Sequence, residues 1–319
     1  MAADGDQPRD SGKSGTTRGG GAPRRPRQWV DPTADPQLRD IRRNVIIALC
    51  ADDELMKQLV LKGGNALDLV HDVGGRTSQD LDYSIPGDFD DLERIEQKLS
   101  SVLRDQFARK QMVVFDVKLG RRPPQGGEER QSGYQLEFKL TTRARWDAAG
   151  GDLTRARRDA TVVGPAQARR VEVQISKYEY CAARQPAELD GFRLYVYTPA
   201  MIAIEKLRAI CQQMNEYPRR AHPAPRARDF YDIHAAITQA NVDLSTEENL
   251  AHLKAAFDAK EVPLQLLGRI EAYRDFHRAD WPAVESTVRG GVPHDYDFYF
   301  DFVVAEVRRL HPLWMVDAP

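Results

Sequence analysis

Two carboxylates that stand two residues apart give the chain its most explicit chemical signal. Asp80 and Asp82 lie at the head of a predicted strand over residues 81–85. Because side chains alternate along a strand, both carboxylates should point to the same face. Carboxylates this close repel each other, and a divalent cation such as Mg²⁺ or Mn²⁺ would keep both ionised while it binds phosphate oxygens. We therefore expect Asp80 and Asp82 to be metal ligands.

A glycine pair precedes these carboxylates by some fifteen residues. Gly63 and Gly64 allow close backbone approach, and a helix is predicted directly after them, over residues 65–73. The N–H groups at the start of a helix favour an anion such as a triphosphate. Alone, a Gly-Gly pair is common in turns and an Asp-x-Asp in solvated loops, but the combination favours a phosphate site. Its expected residues are Lys62, Gly63, Gly64, Asn65, Arg76 and Ser78.

A second polar block follows more than a hundred residues later. Lys206 lies in a predicted helix over residues 201–214, where its ammonium could either rest in water or neutralise phosphate charge. Asp229 and Asp232 are three residues apart in a predicted helix over residues 226–240. They could be first-turn carboxylates paired with a nearby arginine, or part of a site that also contains Lys206.

The two blocks together resemble the AbiEii/AbiGii-type nucleotidyltransferases of the DNA polymerase β-like superfamily. This family includes toxins of bacterial type IV toxin–antitoxin systems and the MenT toxins of mycobacteria. The order and approximate spacing of the blocks match over residues 40–240. The resemblance rests on Lys62-Gly63-Gly64, Arg76-x-Ser78-x-Asp80-Leu81-Asp82, Glu205-Lys206-Leu207-Arg208 and Arg228-Asp229-Phe230-Tyr231-Asp232.

The resemblance implies an α+β fold, in which a polymerase β-like mixed sheet flanked by helices is followed by a C-terminal helical lobe. It implies transfer of a nucleoside monophosphate from an NTP to RNA, most simply a tRNA 3′ end, by a toxin that has an antitoxin partner. The catalytic residues would be Asp80, Asp82, Lys206 and Asp229, with Asp229 orienting Lys206 or the attacking hydroxyl.

The sequence departs from the family pattern at two positions. Asn65 stands where relatives often have Thr or Ser, and its amide could still donate a hydrogen bond to phosphate. Superfamily members commonly add a third carboxylate from a neighbouring strand, here residues 171–176. Gln174 best matches that position and Glu172 shares its face, so the third ligand is Glu172, is absent, or lies elsewhere.

Two other functions stay open. The enzyme could modify a protein hydroxyl or a small molecule, or the chain could be a non-catalytic relative that binds nucleotide. Retention of both metal carboxylates with Lys206 and Asp229 disfavours the second alternative. RNA binding has modest support from arginines in predicted connections, which could equally be solvated. They are Arg121, Arg122, Arg143, Arg145, Arg155, Arg157, Arg158, Arg169, Arg170, Arg219, Arg220, Arg226 and Arg228, with His222.

The elements that must position these residues divide the chain into three parts. Residues 1–36 are Gly/Arg-rich and predict a disordered tail, which could alternatively contact RNA phosphates; residues 37–198 predict the nucleotidyltransferase core and residues 199–319 a helical domain. Further predicted helices span residues 90–110, 246–257 and 264–276, with one or two more after Pro36. Further strands span 112–119, 134–140, 171–175 and 192–197, with a loop over 121–133 and a surface connection over 155–170.

The bulk composition is that of a globular protein. The 319 residues are 41% hydrophobic and carry a formal net charge of −2, so any RNA contact needs a local basic face. Three widely spaced cysteines, Cys50, Cys181 and Cys211, make a disulfide framework or zinc site unlikely. The polar N-terminus and the lack of long apolar stretches predict a cytoplasmic protein without a membrane segment.

Overall fold

The computed structural model describes residues 1, 36–76, 78, 80–123, 132–219, 222–288 and 290–314. Nearly all of the predicted tail therefore lies outside the described residues, as does most of the predicted loop over residues 121–133.

Within the described residues the chain forms seven strands and thirteen α-helices. The strands are β1 (Val60–Lys62), β2 (Leu81–Ser84), β3 (Met112–Arg122), β4 (Gly133–Thr142), β5 (Val171–Ser176), β6 (Gln185–Leu189) and β7 (Phe192–Val196). The helices are α1 (Pro36–Cys50), α2 (Asp53–Gln58), α3 (Gly63–Leu69), α4 (Leu92–Ala108), α5 (Arg143–Ala149), α6 (Leu153–Arg158), α7 (Pro199–Cys211), α8 (Ala227–Gln239), α9 (Glu247–Ala259), α10 (Arg274–Arg278), α11 (Trp281–Glu285), α12 (Tyr296–Arg309) and α13 (His311–Trp314). Two 3₁₀ helices cover Pro165–Gln167 and Leu264–Tyr273.

The seven strands form one mixed sheet in the order β3-β4-β5-β2-β1-β7-β6. β2 pairs in parallel with β5 and antiparallel with β1. Paired residues of these three central strands therefore lie side by side. Lys62, Asp82 and Gln174 are direct neighbours in this register and lie on one face of the sheet. The predicted α+β class with a mixed sheet flanked by helices is confirmed.

Local sequence explains why the helices begin where they do. Asp91 caps α4 by accepting a hydrogen bond from the Arg94 backbone N–H, and the helix buries Ile95, Leu99 and Leu103 on one stripe. Thr198 caps α7 through the Met201 N–H, with Pro199 at the first helical position. Burial of these apolar stripes fixes both helices against their neighbours.

Several predicted boundaries differ from the structure. The helix predicted over residues 65–73 begins at Gly63 and ends at Leu69, and the backbone N–H groups of His71 and Val73 then close it by bonding back to residues 66 and 67. The helix predicted over residues 264–276 is a 3₁₀ helix followed by α10. Gly268 lowers helix propensity there, and a Cβ on it would stand only 2.8 Å from the Trp314 ring.

The connection predicted over residues 155–170 is partly helical, because Asp152 caps α6 through the N–H groups of Thr154 and Arg155. The sequence also gave no sign of α5 or β6. In the part of the chain that the structure describes, every helix is too short or too polar to span a membrane.

One continuous cluster of buried apolar side chains extends from Leu38 to Leu310. It includes Leu61 and Val196 from the sheet together with Ile204 and Phe230 from α7 and α8. The sheet and the later helices thus bury their apolar surfaces in a shared core. The division into domains at residue 198 stays a prediction.

Candidate active site

A cavity of about 570 Å³ brings the two sequence blocks together. The central strands contribute one wall, and α7 and the start of α8 contribute another. Two of the predicted residues, Asn65 and Glu172, do not line the cavity. Those that do are Lys62, Gly63, Gly64, Arg76, Ser78, Asp80, Asp82, Lys206 and Asp229.

The two candidate metal carboxylates lie in different kinds of local structure. Asp82 lies in β2, whereas Asp80 lies at a bend just before that strand. The Asn65 side-chain amide donates a 2.5 Å hydrogen bond to the Asp80 backbone carbonyl. Asn65 therefore fixes the backbone that carries Asp80, and both carboxylates remain partly exposed to the cavity.

The glycine pair makes room for this loop. Gly63 has a φ of +70°, and a Cβ there would stand 2.8 Å from Oδ2 of Asp82. A Cβ on Gly64 would stand 2.9 Å from the Ser78 Cβ. Both positions thus require glycine if Asp82 and Ser78 are to keep their places.

Negative charge is crowded around Asp82. Burial raises its pKa above the usual carboxylate value; Lys62 opposes that shift, whereas Asp80 and Glu205 add to it. Each neighbouring carboxylate favours the neutral form, so a cation between Asp80 and Asp82 would relieve the crowding.

A third protein carboxylate does not join this pair. Gln174 stands beside Asp82 on β5, and its amide oxygen accepts a hydrogen bond from Arg122. The Glu172 carboxylate instead accepts a 2.9 Å hydrogen bond from Gln135. Among the described residues, no three His, Cys, Asp or Glu side chains converge on one point. Mg²⁺ is commonly held by only one or two protein carboxylates, with substrate phosphates and water as its other ligands, and Asp80 and Asp82 could supply such a pair.

Lys206 is buried between two carboxylates, so the alternative with its ammonium in water does not hold. Its Nζ lies 2.9 Å from Asp229 Oδ1 and 2.8 Å from Asp232 Oδ2. Burial alone would lower the pKa of Lys206, but Asp229 and Asp232 outweigh it and raise that pKa. Lys206 is thus held as a cation, in the place where the sequence predicted a partnership with Asp229.

Arg76 and Arg226 complete this charged network. Arg76 donates two hydrogen bonds to Asp232, of 3.0 and 2.7 Å, in a buried bidentate pair. Arg226 contacts the second oxygen of Asp229. Burial opposes ionisation of Asp229, yet Arg226 and Lys206 prevail and hold its pKa far below the usual range. Arg76 serves as the partner of Asp232 here, a role that the sequence did not assign to it.

A second charged cluster lines the same cavity. Lys62 Nζ lies 2.6 Å from Glu205 and 3.6 Å from Glu179, and Arg208 Nη2 lies 3.0 Å from Glu179. Lys260 approaches Glu179 to 3.5 Å from the end of α9. Glu205 and Arg208 could have been suspected, since they flank Lys206 in its motif. Glu179 and Lys260 had no sequence signal.

The lining as a whole is rich in positive charge. Of the described residues around the cavity, eight are Lys or Arg and five are Asp or Glu. From the arginines predicted for RNA contact, Arg122, Arg226 and Arg228 reach it. Others pair with surface carboxylates instead, as Arg170 does with Glu137 at 2.9 Å. Arg220 lies outside the described residues.

One family model and several solved structures are similar to this chain. The family model described as nucleotidyl transferase AbiEii toxin of type IV toxin–antitoxin systems matches residues 47–302. JHP933 from Helicobacter pylori has a similar crystal structure, with a TM-score of 0.46, 14% identity, and coverage of 88% of this chain and 94% of that one. An antigenic nucleotidyltransferase-like protein from Paracoccidioides brasiliensis has a TM-score of 0.34, 15% identity, and coverage of 69% and 92%.

No curated protein sequence is significantly similar to the chain. The family match nevertheless covers most of its length and includes both blocks of the cavity. The chain therefore belongs to the AbiEii family of nucleotidyltransferase toxins and is a nucleotidyltransferase.

Proposed function

We propose that the protein transfers a nucleoside monophosphate from an NTP to an RNA acceptor, a tRNA 3′ end, and so inhibits growth until an antitoxin counteracts it. One observation carries the proposal. Asp80 and Asp82 share a single cavity with the Gly63–Gly64 turn and an excess of cationic side chains. Such a cavity suits a polyphosphate and a second anionic substrate.

Asp80 and Asp82 would hold Mg²⁺ or Mn²⁺. When bound, such an ion neutralises phosphate charge and assists ionisation of the attacking hydroxyl. The glycine pair supports this arrangement, because it leaves the wall of the cavity beside Asp82 free of side chains. A triphosphate can therefore approach the backbone there.

The buried network of Lys206 supplies fixed positive charge beside the carboxylates. Asp229 and Asp232 orient its ammonium and keep it protonated. A cation that is already in place needs no reorganisation when negative charge develops on the transferring phosphoryl group. Lys206 would thus stabilise the transition state, with Asp229 and Asp232 as positioning residues.

The proposal of a nucleic-acid acceptor rests on charge. The formal net charge of the chain is −2, yet cations outnumber carboxylates around the cavity by eight to five. Arg122 and Arg228 belong to this lining and are candidates for contacts to acceptor phosphates. An asymmetry of this kind favours a polyanionic acceptor over a neutral protein hydroxyl.

Incubation of the purified chain with total RNA, Mg²⁺ and each NTP labelled at its α-phosphate tests the proposal. We expect label in RNA of tRNA size, and none with the Asp80→Ala variant. Asp190→Ala serves as the matched control, because Asp190 is an exposed partner of Arg43 and does not line the cavity.

Label found in protein or in a small molecule, with RNA unlabelled, would show that the acceptor is wrong. Transfer at the normal rate by Asp80→Ala would show that the metal pair is wrong. Induced expression in a bacterial host should arrest growth with the wild-type chain and not with Asp80→Ala.

A further inference from the structure

Arg208 has hydrogen-bonding capacity that the protein leaves unused. The residue is only 3% exposed, and its Nη2 pairs with Glu179. Its Nε and Nη1 have no hydrogen-bond partner among the described residues. A buried guanidinium N–H without an acceptor is costly, so such a group needs an explanation, and a bound water or ion is one.

The surroundings of Arg208 carry more positive than negative charge. Lys62, Arg208 and Lys260, each less than a tenth exposed, share two carboxylates, Glu179 and Glu205. All five side chains line the cavity. Two carboxylates cannot neutralise three cations, and the excess is poorly screened at a buried position.

Lys260 reflects this excess. Burial lowers its pKa to about 8; Glu179 opposes the shift, whereas Arg208 and Lys62 add to it. An anion bound between Arg208 and Lys260 would relieve the repulsion and supply acceptors for the unpaired N–H groups.

A single water is a weaker explanation. Arg208 also borders a separate void of about 10 Å³ next to Tyr180 and His252, which has room for roughly one water. One water could accept a hydrogen bond, but it would leave the excess positive charge in place. Phosphate oxygens would satisfy both needs, because they carry the negative charge that is lacking and can accept a hydrogen bond from an unpaired Nε–H or Nη1–H group of Arg208.

We propose that Arg208 and Lys260 form a phosphate subsite in the cavity, separate from the network of Lys206. The inference deepens the proposed function and rests on it for the two phosphate sources, the triphosphate of the NTP and a phosphodiester of the acceptor RNA. Lys62 contributes positive charge to the subsite, and the ion pair with Glu205 holds the Lys62 side chain in place.

Calorimetric binding to the full chain, in EDTA and without turnover, tests the subsite. The probes are inorganic tripolyphosphate, an NTP and a purified tRNA. We expect Arg208→Gln and Lys260→Gln each to weaken tripolyphosphate binding by about tenfold or more, since each removes a charged donor. The control is Arg43→Gln, which changes a partly exposed arginine that pairs with Asp190 and should leave all three affinities unchanged.

The pattern of losses identifies the source. Weaker binding of tripolyphosphate and NTP with unchanged tRNA assigns the subsite to the triphosphate; weaker binding of tripolyphosphate and tRNA with unchanged NTP assigns it to the acceptor. Unchanged affinity for all three probes overturns the proposal and leaves the void water as the partner.

Arg208→Lys keeps the charge but loses the Nε and Nη1 donors, so it carries the test if Arg208→Gln does not fold. Because no transfer takes place in EDTA, the result is independent of the labelling assay for the proposed function.

Discussion

At the scale of single residues, two features require glycine at position 63: its backbone conformation and the lack of space for a side chain. Its φ is +70°, and an added Cβ would contact Oδ2 of Asp82 at 2.8 Å. We expect Gly63→Ala to displace that carboxylate, to lower transfer at least about tenfold, and to destabilise the fold by more than the ~1 kcal/mol that a positive φ costs. Initial transfer rates and urea unfolding provide the measurements.

Gly150 gives the matched control. Its φ is +60°, and a Cβ there would meet nothing within 4 Å. Gly150→Ala should show the conformational cost alone, with normal transfer. Equal behaviour of the two variants would mean that Gly63 does not hold Asp82 in place.

His277 predicts a pH dependence of stability. It is fully buried, and its Nδ1 accepts a hydrogen bond from the Arg226 backbone N–H. Burial lowers its pKa from 6.5 to about 4; Asp229 opposes the shift and Arg226 adds to it. Below about pH 6.5 His277 is therefore protonated in the unfolded chain, whereas in the folded chain it stays neutral down to about pH 4. The free energy of unfolding should fall as the pH drops from 6.5 to about 4, by on the order of 3 kcal/mol from this residue.

Urea unfolding of the wild-type chain and His277→Gln at several pH values isolates this contribution. Carboxylates such as Asp229 have a lowered pKa in the folded state, so their protonation reduces the stability of the protein only at still lower pH. This loss is the same in both proteins. Identical pH profiles between 6.5 and 4 would contradict the prediction.

The sequence allowed prediction of residues that belong to a motif. It did not allow prediction of charged partners that are distant in the chain and come together only in the fold. Asp80 and Asp82 were predicted from their spacing, and Lys206 and Asp229 from the family resemblance; all four line the cavity. Glu179 and Lys260 are eighty-one positions apart and meet only through the fold. No periodicity or propensity encodes such a meeting.

At the scale of elements, the loop that precedes β2 and carries Asp80 is clamped to α8. The Tyr231 hydroxyl donates to the Gly74 carbonyl at 2.6 Å, and the Gly74 N–H donates to Gln239 at 2.8 Å. Arg76 pairs with Asp232 on the same helix and forms a backbone bridge to Val288. Helices that follow the sheet in sequence thus set the position of the loop before β2.

Asp232→Asn should release this clamp. Removal of the carboxylate breaks the buried bidentate ion pair with Arg76, and breaking a buried ion pair costs about 3–5 kcal/mol. We expect a large loss of stability in urea and a fall in kcat that exceeds any change in KM for NTP, because Lys206 loses one of its two orienting carboxylates.

Asp297→Asn is the surface counterpart. Asp297 bonds Arg274 at 2.8 Å and also contacts Arg278, with 39% of its side chain exposed. Exposed pairs of this kind contribute about 0–1 kcal/mol. If the two variants lost similar stability, the buried clamp would have no special role.

Prediction of elements succeeded where local signals were strong. α4 carries an Asp cap and a regular apolar stripe, and β5 alternates cleanly, so both were found within a few residues. The limits of α3 were misplaced because Gly63 and Gly64, which normally end or precede helices, form its first turn. Tertiary contact with Asp82 and Ser78 overrides glycine's low helix propensity at those two positions.

At the scale of the whole molecule, the sequence predicted the order of sheet and helices and not how they share a core. The apolar faces of α7 and α8 were evident from their periodicity, but the surface that they cover was not. In the structure Ile202, Ile204 and Leu207 belong to the same buried cluster as Leu61 of β1. Such contacts join residues more than a hundred positions apart, beyond the reach of local patterns.

Because the core is shared, we predict that neither of the two fragments obtained by dividing the chain after residue 198 will fold on its own. A fragment of residues 36–198 would expose the apolar surface that α7 covers and would lack Lys206 and Asp229. The complementary fragment, residues 199–319, would leave Lys206 without the cavity. We expect each fragment expressed alone to show weak near-ultraviolet circular dichroism and no cooperative unfolding, and neither to transfer nucleotide. Co-expression should restore a complex with activity, since Ile202, Ile204 and Leu207 of α7 are buried in the same apolar cluster as Leu61 of β1. Cooperative unfolding of the 36–198 fragment alone would instead show that the sheet half is an independent domain.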